Sequence, residues 1–200
     1  MADPSVSNET QIENYLSLAS VYIANKSYIR QAKADPFTEA IQVIDKSQKS
    51  VEFLKEQKTT EVYQTNIMRR MGDAYYLKAA FNDSNKVETS NDYDKAIANY
   101  SELIPLITKE DNKNKLEQLV AEIYESKGDF VMAATKFQEL ISKYPSYSGA
   151  YSSYGLMALI NMNDKVKAVE LYNKANTLPN SKNDFNFNSL GQKLKNAGAI

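Results

Sequence analysis

The side chains that could perform chemistry in this chain are carboxylates, lysines and tyrosines, because its 200 residues include no histidine and no cysteine. Their absence excludes imidazole bases, thiolate nucleophiles, disulfides, and zinc sites built from His or Cys. Two acidic pairs are candidates for acid–base work, Glu122 with Glu125 and Glu61 with Asp73, but both have ordinary helix-surface spacing. We therefore predict a protein that is not an enzyme and has no cofactor.

The sequence also lacks the residue patterns that bind phosphate, calcium or nucleic acid. The six glycines form no GxG and none precedes a lysine, so no phosphate loop is predicted. The polar segments 82–85 and 92–94 lack the spaced carboxylates and closing glutamate of a calcium loop. With 24 basic and 25 acidic residues the net charge is −1, which provides no positive field for a polyanion. We expect no metal site and no nucleic-acid partner.

Long stretches with helical periodicity separate the few prolines and glycines, which indicates an all-α chain. The longest apolar run, about 154–160, is far shorter than the roughly 20 residues of a membrane-spanning helix. The N-terminus has neither the basic stretch nor the apolar core of a signal peptide. A cytoplasmic location is therefore expected, or a periplasmic or envelope one if a leader has been removed.

Two residue patterns alternate along the chain. One is a large, large, small, large series that occurs at Tyr15-x-x-Leu18-Ala19-x-x-Tyr22, Met68-x-x-Met71-Gly72-x-x-Tyr75, Tyr151-x-x-Tyr154-Gly155-x-x-Ala158 and Phe187-x-x-Leu190-Gly191-x-x-Leu194. The other is a small residue followed four later by a large one, at Ala40 and Ile44, Ala96 and Tyr100, Ala133 and Phe137, and Ala168 and Tyr172. Small residues let antiparallel helices approach closely. The alternation therefore predicts helical hairpins stacked in series.

The spacing of these patterns in the second half of the chain is that of a known repeat. Ala121 and Gly155 are 34 residues apart and Gly155 and Gly191 are 36 apart, against about 34 in tetratricopeptide arrays. Residues 114–147 match the family pattern at Tyr124, Gly128, Phe130, Ala133, Phe137 and Pro145. The chain resembles the tetratricopeptide repeat family. Residues 130–146 are also similar to repeats of bacterial envelope-assembly proteins.

This resemblance implies a right-handed superhelix of about four hairpins in one domain over residues 1–200. The predicted hairpins cover approximately 11–57, 59–108, 113–145 and 147–179, and a capping helix covers 184–196. The first two hairpins are longer than the family repeat, with additions of 9 and 12 residues at their tips. We predict longer helices around 24–34 and a polar surface loop between 82 and 92.

The resemblance also implies a protein–protein interaction scaffold whose concave groove, lined by first helices, binds a peptide or a helix. First-helix side chains away from the packing stripe are the candidates for that groove: Asn66, Arg69, Asp73, Tyr76, Gln118, Glu122, Glu125, Ser152, Leu156 and Leu159. The alternative is a small apolar ligand in the same groove. The apolar second face of the fourth repeat needs a cover, either the capping helix or a bound peptide. Self-association stays open.

Overall fold

A computed structural model describes residues 8–24, 36–53, 60–85, 91–179 and 181–200. These residues form nine α-helices and no strand, which confirms the all-α prediction. The helices are α1 (Asn8–Ala24), α2 (Pro36–Phe53), α3 (Thr60–Ser84), α4 (Asp92–Leu103), α5 (Glu110–Ser126), α6 (Phe130–Lys143), α7 (Ser148–Ile160), α8 (Lys165–Asn176) and α9 (Phe185–Asn196). Among them, no helix has the length and apolar character needed to cross a membrane.

The chain packs as two compact units, Met1–Leu106 and Ile107–Ile200, which we call unit 1 and unit 2. In unit 1, α1 packs against α2 and α3 against α4. In unit 2, α5 packs against α6, α7 packs against α8, and α9 packs against both α7 and α8. Successive helices therefore pair as the alternating pattern predicts, and α9 stands where the capping helix is expected.

The small residues of the pattern lie where helices approach most closely. Ala133 and Ala168 are fully buried. A Cβ atom at Gly72 would lie 2.7 Å from Cε1 of Tyr100. A Cβ atom at Gly155 would lie 2.5 Å from Cδ2 of Leu190. Because both distances are well below van der Waals contact, a larger residue at either position would force the facing side chain or its helix to move.

In three hairpins, a residue with a positive φ angle and an aspartate stand at the start of the second helix. Asn91, Gly128 and Asn163 have positive φ angles of 54°, 83° and 53°, and an aspartate follows each of them. The carboxylates of Asp129 and Asp164 cap their helices by accepting the backbone N–H three residues later, at 3.0 and 2.9 Å. This pair of a left-handed residue and an aspartate reverses the chain and starts the next helix. This signature is not part of the residue patterns from which the hairpins are predicted.

The structure corrects the loop predicted between 82 and 92. Helix α3 continues through Ser84, so the loop prediction for 82–84 is wrong. Asn82 is buried, and Asp83 accepts a hydrogen bond from the Tyr93 hydroxyl on α4, which holds this last turn of α3 in helical form. The rest of the loop, 86–90, and the addition in the first hairpin, 25–34, lie outside the described residues.

Candidate functional site

Helix α5 presents three polar side chains of the predicted groove on one face. Gln118, Glu122 and Glu125 are spaced by four and three residues, so they follow one another along the helix. The Gln118 amide Nε2 donates to Glu122 Oε1 at 2.7 Å. All three side chains are partly exposed. This face is therefore polar, ordered by internal hydrogen bonds, and accessible to solvent.

Ser153 of α7 is the centre of a hydrogen-bond network behind that face. Its hydroxyl donates to Glu122 Oε1 at 2.9 Å. It accepts from Gln118 Nε2 at 2.9 Å and from Asn186 Nδ2, on α9, at 2.8 Å. The Tyr147 hydroxyl, in the turn before α7, donates to Gln118 Oε1. The network ties α5, α7 and α9 together and holds the Glu122 carboxylate in one position.

Glu125 has the most perturbed carboxyl group of this face. Burial, and then the negative charge of Glu122 one turn away, raise the pKa of Glu125 from 4.5 to about 7. Within the described part of the chain, no hydrogen bond or ion pair reaches the Glu125 side chain. The charged form is therefore destabilised, and a cation placed beside it would lower its pKa and restore the charge.

Ser152, a predicted groove residue, is turned away from this network. It is fully buried, and its hydroxyl lies 3.0 Å from Oδ2 of Asp184. Asp184 in turn caps α9 by accepting the backbone N–H groups of Asn186 and Phe187 at 2.8 and 3.2 Å. Ser152 thus joins α7 to the start of α9 and has no free surface for a partner.

Leu156 and Leu159 are half-buried against the C-terminal helix. They pack against a cluster formed by Ala158, Ala168, Leu190 and Leu194. Since Leu190 and Leu194 belong to α9, the capping helix covers the apolar face of α7 that the sequence leaves open. Neither leucine then offers the broad apolar surface that a small ligand would need.

The candidates in unit 1 divide into internal and exposed residues. Asp73 accepts a hydrogen bond from the buried Tyr100 hydroxyl at 2.5 Å and lies 3.9 Å from Arg69 Nε. Burial, and then the charge of Asp73, raise the pKa of Tyr100, so the hydroxyl stays a donor. Tyr76 packs against Tyr93 with ring centroids 6.3 Å apart. Asn66 and Arg69 remain exposed, so they are the candidates here that solvent and a partner can reach.

Comparison with known families identifies the segment that holds part of the unit 2 face. The sequence profile of the tetratricopeptide repeat matches residues 119–147, which include Glu122, Glu125, α6 and the turn to α7. This segment is similar to a tetratricopeptide repeat. The match supports a protein-interaction scaffold in general terms. The predicted likeness to the tetratricopeptide repeat is confirmed for this segment, and the helix pairs of the described residues agree with a helical-repeat fold.

Two solved structures are also similar to parts of this chain. The crystal structure of MamA has a TM-score of 0.38 and 21% identity, over 70% of this chain and 86% of that one. The crystal structure of BtubC (BKLC) from P. vanneervenii has a TM-score of 0.43 and 15% identity, over 94% of this chain and 85% of that one. No curated protein matches the chain in sequence. In the described parts of the chain, no group of three or more carboxylates is placed to hold a metal ion.

Glu125 of the tetratricopeptide repeat makes the stability of unit 2 dependent on pH. Because the pKa of its carboxyl group is higher in the folded state, the folded chain binds more protons between pH 4.5 and 7. The free energy of unfolding therefore falls as pH rises through that window, because the charged form is less favourable in the folded state. We expect Glu125→Gln to increase the free energy of unfolding at pH 8 by about 1 kcal/mol, discounted because the group is partly solvated. The gain should be much smaller at pH 5, as measured by urea denaturation.

The matched control is Glu139→Gln on α6, whose carboxylate is exposed and paired with Lys136 at 2.8 Å. Its effect should be the same at both pH values to within a few tenths of a kcal/mol. A Glu125→Gln effect that does not change with pH would show that this carboxyl group is not desolvated.

Proposed function

We propose that this chain is a non-catalytic scaffold that binds a peptide or a helix on the α5 face of unit 2. The partner contributes a lysine or an arginine that pairs with Glu125 and Glu122. The observation that carries the proposal is the half-buried Glu125 carboxyl group, which has a pKa of about 7 and no ion-pair partner among the residues that the structure describes. Pairing it with a cation would remove this energetic cost, so a partner that places a positive charge beside Glu125 binds more tightly.

The network behind the face supports the same proposal through preorganisation. Glu122 is held by Gln118 at 2.7 Å and by Ser153 at 2.9 Å, so its carboxylate needs no ordering when a partner arrives. Fewer side chains are then immobilised on binding, which lowers the entropic cost of association. Charge-assisted hydrogen bonds to such fixed carboxylates are among the stronger polar contacts in proteins.

The alternative, a small apolar ligand, has less support. Leu156 and Leu159 already pack against α9, and the accessible part of the α5 face is polar. The likeness of residues 130–146 to repeats of bacterial envelope-assembly proteins suggests assembly of a protein complex as the setting. In unit 1, the exposed Asn66 and Arg69 are a second candidate contact region.

Selection from a random peptide library displayed on phage tests this function with the full chain. We expect the enriched peptides to contain lysine or arginine, and we expect the double variant Glu122→Gln with Glu125→Gln to bind them at least tenfold more weakly. Glutamine keeps the shape and removes the charge, so the loss reports charge pairing. A tenfold change corresponds to about 1.4 kcal/mol. Fluorescence anisotropy with a labelled peptide gives the dissociation constants.

The control is the pair Glu139→Gln with Glu170→Gln, which removes two exposed carboxylates from the second helices α6 and α8. It changes the net charge by the same amount and should leave affinity nearly unchanged. If the two double variants lose affinity equally, binding depends on overall charge and the α5 face is not the site. If no peptide is enriched at all, the peptide-binding proposal is wrong.

A further inference from the structure

Asn186, the second residue of the capping helix α9, is connected to the α5 face by two successive hydrogen bonds. Its side-chain amide Nδ2 donates to Ser153 Oγ at 2.8 Å, and Ser153 Oγ donates to Glu122 Oε1 at 2.9 Å. Asn186 and Glu122 are partly exposed, whereas Ser153 between them is buried. We call this connection the α9–α5 link, because it joins the capping helix to a carboxylate of the candidate site.

The hydroxyl group of Ser153 uses its full hydrogen-bonding capacity. A hydroxyl has one proton to donate and two lone pairs with which to accept. The two acceptor positions are taken by Asn186 Nδ2 at 2.8 Å and by Gln118 Nε2 at 2.9 Å. The Tyr147 hydroxyl donates to Gln118 Oε1, which keeps Gln118 Nε2 directed at Ser153. Because both lone pairs face N–H donors, the proton of Ser153 points at the Glu122 carboxylate.

Without the Asn186 amide, the Ser153 hydroxyl would have another acceptor to turn to. A serine within a helix readily donates to the backbone carbonyl four residues earlier. Ser152, the next residue on α7, does so by donating to the Ser148 carbonyl oxygen at 3.0 Å. The equivalent acceptor for Ser153 is the carbonyl of Gly149. The Asn186 amide therefore favours the hydroxyl orientation that holds Glu122 over the one that releases it.

The docking of α9 on α7 determines where Asn186 lies. Its backbone N–H donates to Asp184 Oδ1 at 2.8 Å, which fixes the residue in the first turn of α9. Leu190, one turn further along, is fully buried and lies directly over Gly155 of α7. Asn186 can reach Ser153 only while these contacts hold the start of α9 in place. The α9–α5 link therefore depends on the packed position of the capping helix.

We propose that Asn186 is a positioning residue for partner binding at the α5 face. It acts on Glu122 through Ser153 and makes no contact with the partner itself. The docked capping helix thus sets the affinity of the site, in addition to covering α7. A side chain that is already fixed loses less rotamer freedom on binding, which is the reason for the effect on affinity. The effect on affinity rests on the proposed function, whereas the positioning of Glu122 needs no partner.

NMR spectroscopy of the full chain with ¹³C-labelled glutamate tests the positioning without a partner. The two γ-protons of a fixed glutamate have different chemical shifts, and exchange among rotamers averages them. We expect a clear difference for Glu122 in the parent chain and a much smaller one in Asn186→Ala. Ser153→Ala, which breaks the same link from α7, should have the same effect. It keeps the test decisive if Asn186→Ala lowers the helix content seen by circular dichroism.

The matched control is Asn188→Ala. It removes the same kind of side chain from the same helix, an amide that donates to the Lys182 carbonyl oxygen at 3.0 Å. Since that hydrogen bond does not belong to the α9–α5 link, the γ-proton shifts of Glu122 should stay as in the parent chain.

The affinity for the lysine- or arginine-containing peptides selected on the parent chain tests the consequence. We expect Asn186→Ala to raise the dissociation constant about threefold, in line with the net contribution of one hydrogen bond. Asn188→Ala should leave it unchanged. In a chain that already carries Ser153→Ala the link is broken, so adding Asn186→Ala should weaken binding no further. Fluorescence anisotropy with the labelled peptide measures all four variants.

The possible failures can be told apart. If no peptide is selected but both alanine variants average the γ-protons of Glu122, the proposed function is wrong and the positioning role stands. Unchanged γ-protons in both variants overturn the positioning role, whatever the peptides do. An affinity loss from Asn186→Ala that persists in the Ser153→Ala chain also overturns it, because Asn186 would then contact the partner directly. Averaged γ-protons with an unchanged affinity would show that α9 does not set the affinity.

Discussion

Replacing Phe137 with alanine is expected to lower the free energy of unfolding of unit 2 by about 3–5 kcal/mol. The Phe137 side chain is fully buried in α6, and its ring stacks on Tyr154 of α7 with centroids 5.7 Å apart and planes within 10°. Neighbours in the same cluster include Ala121 of α5 and Leu171 of α8. The truncation therefore leaves a cavity where four helices meet and removes an aromatic contact as well. Urea denaturation followed by circular dichroism measures the loss.

The control for this experiment is Val131→Ala on the same helix. Val131 is among the most exposed apolar residues, so its truncation should change the stability by less than about 0.5 kcal/mol. A total stability of about 5–15 kcal/mol is ordinary for a domain, so the expected loss is between about a fifth of that stability and all of it. If Phe137→Ala cost no more than Val131→Ala, the packing between the two hairpins of unit 2 would be incorrectly described.

The second large effect is expected at Gly155 of α7, which faces Leu190 of α9. Gly155→Val should destabilise the chain by up to about 3 kcal/mol through overpacking. Its Cβ atom would lie 2.5 Å from Leu190 Cδ2 and 3.5 Å from Leu171 Cβ, and Leu190 is itself fully buried. The expected result is a partly detached α9, which would expose Leu156 and Leu159. Increased binding of a hydrophobic dye, together with the denaturation midpoint, measures both consequences.

A double-mutant cycle separates this clash from a general intolerance of valine in the helix. Leu190→Ala alone should cost about 2–5 kcal/mol because it creates a cavity. In the combined variant the valine fills part of that cavity, so the total loss should be smaller than the sum of the two single losses by about 1 kcal/mol or more. Losses that add without coupling would mean that the two residues do not touch.

Much of the fold can be predicted from local sequence features. The alternation of small and large residues specifies hairpins, because close helix approach requires a small residue such as Ala133 or Gly155 at each crossing. Helix α4 ends at Leu103, and Pro105 lies in the 3₁₀ turn that follows over 104–106. The helix ends there because proline has no N–H with which to continue it. The capping helix is predicted for 184–196 and found at 185–196, after the Asp184 cap. These features act within one or two turns of the chain, so a single sequence contains them.

The candidate site, in contrast, depends on which side chains meet. Sequence reasoning selects Ser152, yet Ser153 joins the Glu122 network and Ser152 faces Asp184, because one residue turns a helix by about 100°. Glu122 and Glu125 have unremarkable spacing in the sequence, and only burial within unit 2 moves the pKa of Glu125 to about 7. The sequence determines the helical periodicity and the small residues at which the two helices of each hairpin pack. Tertiary structure decides which side of each helix contacts a neighbour and which charged groups lose their solvent, since both depend on residues that are distant along the chain.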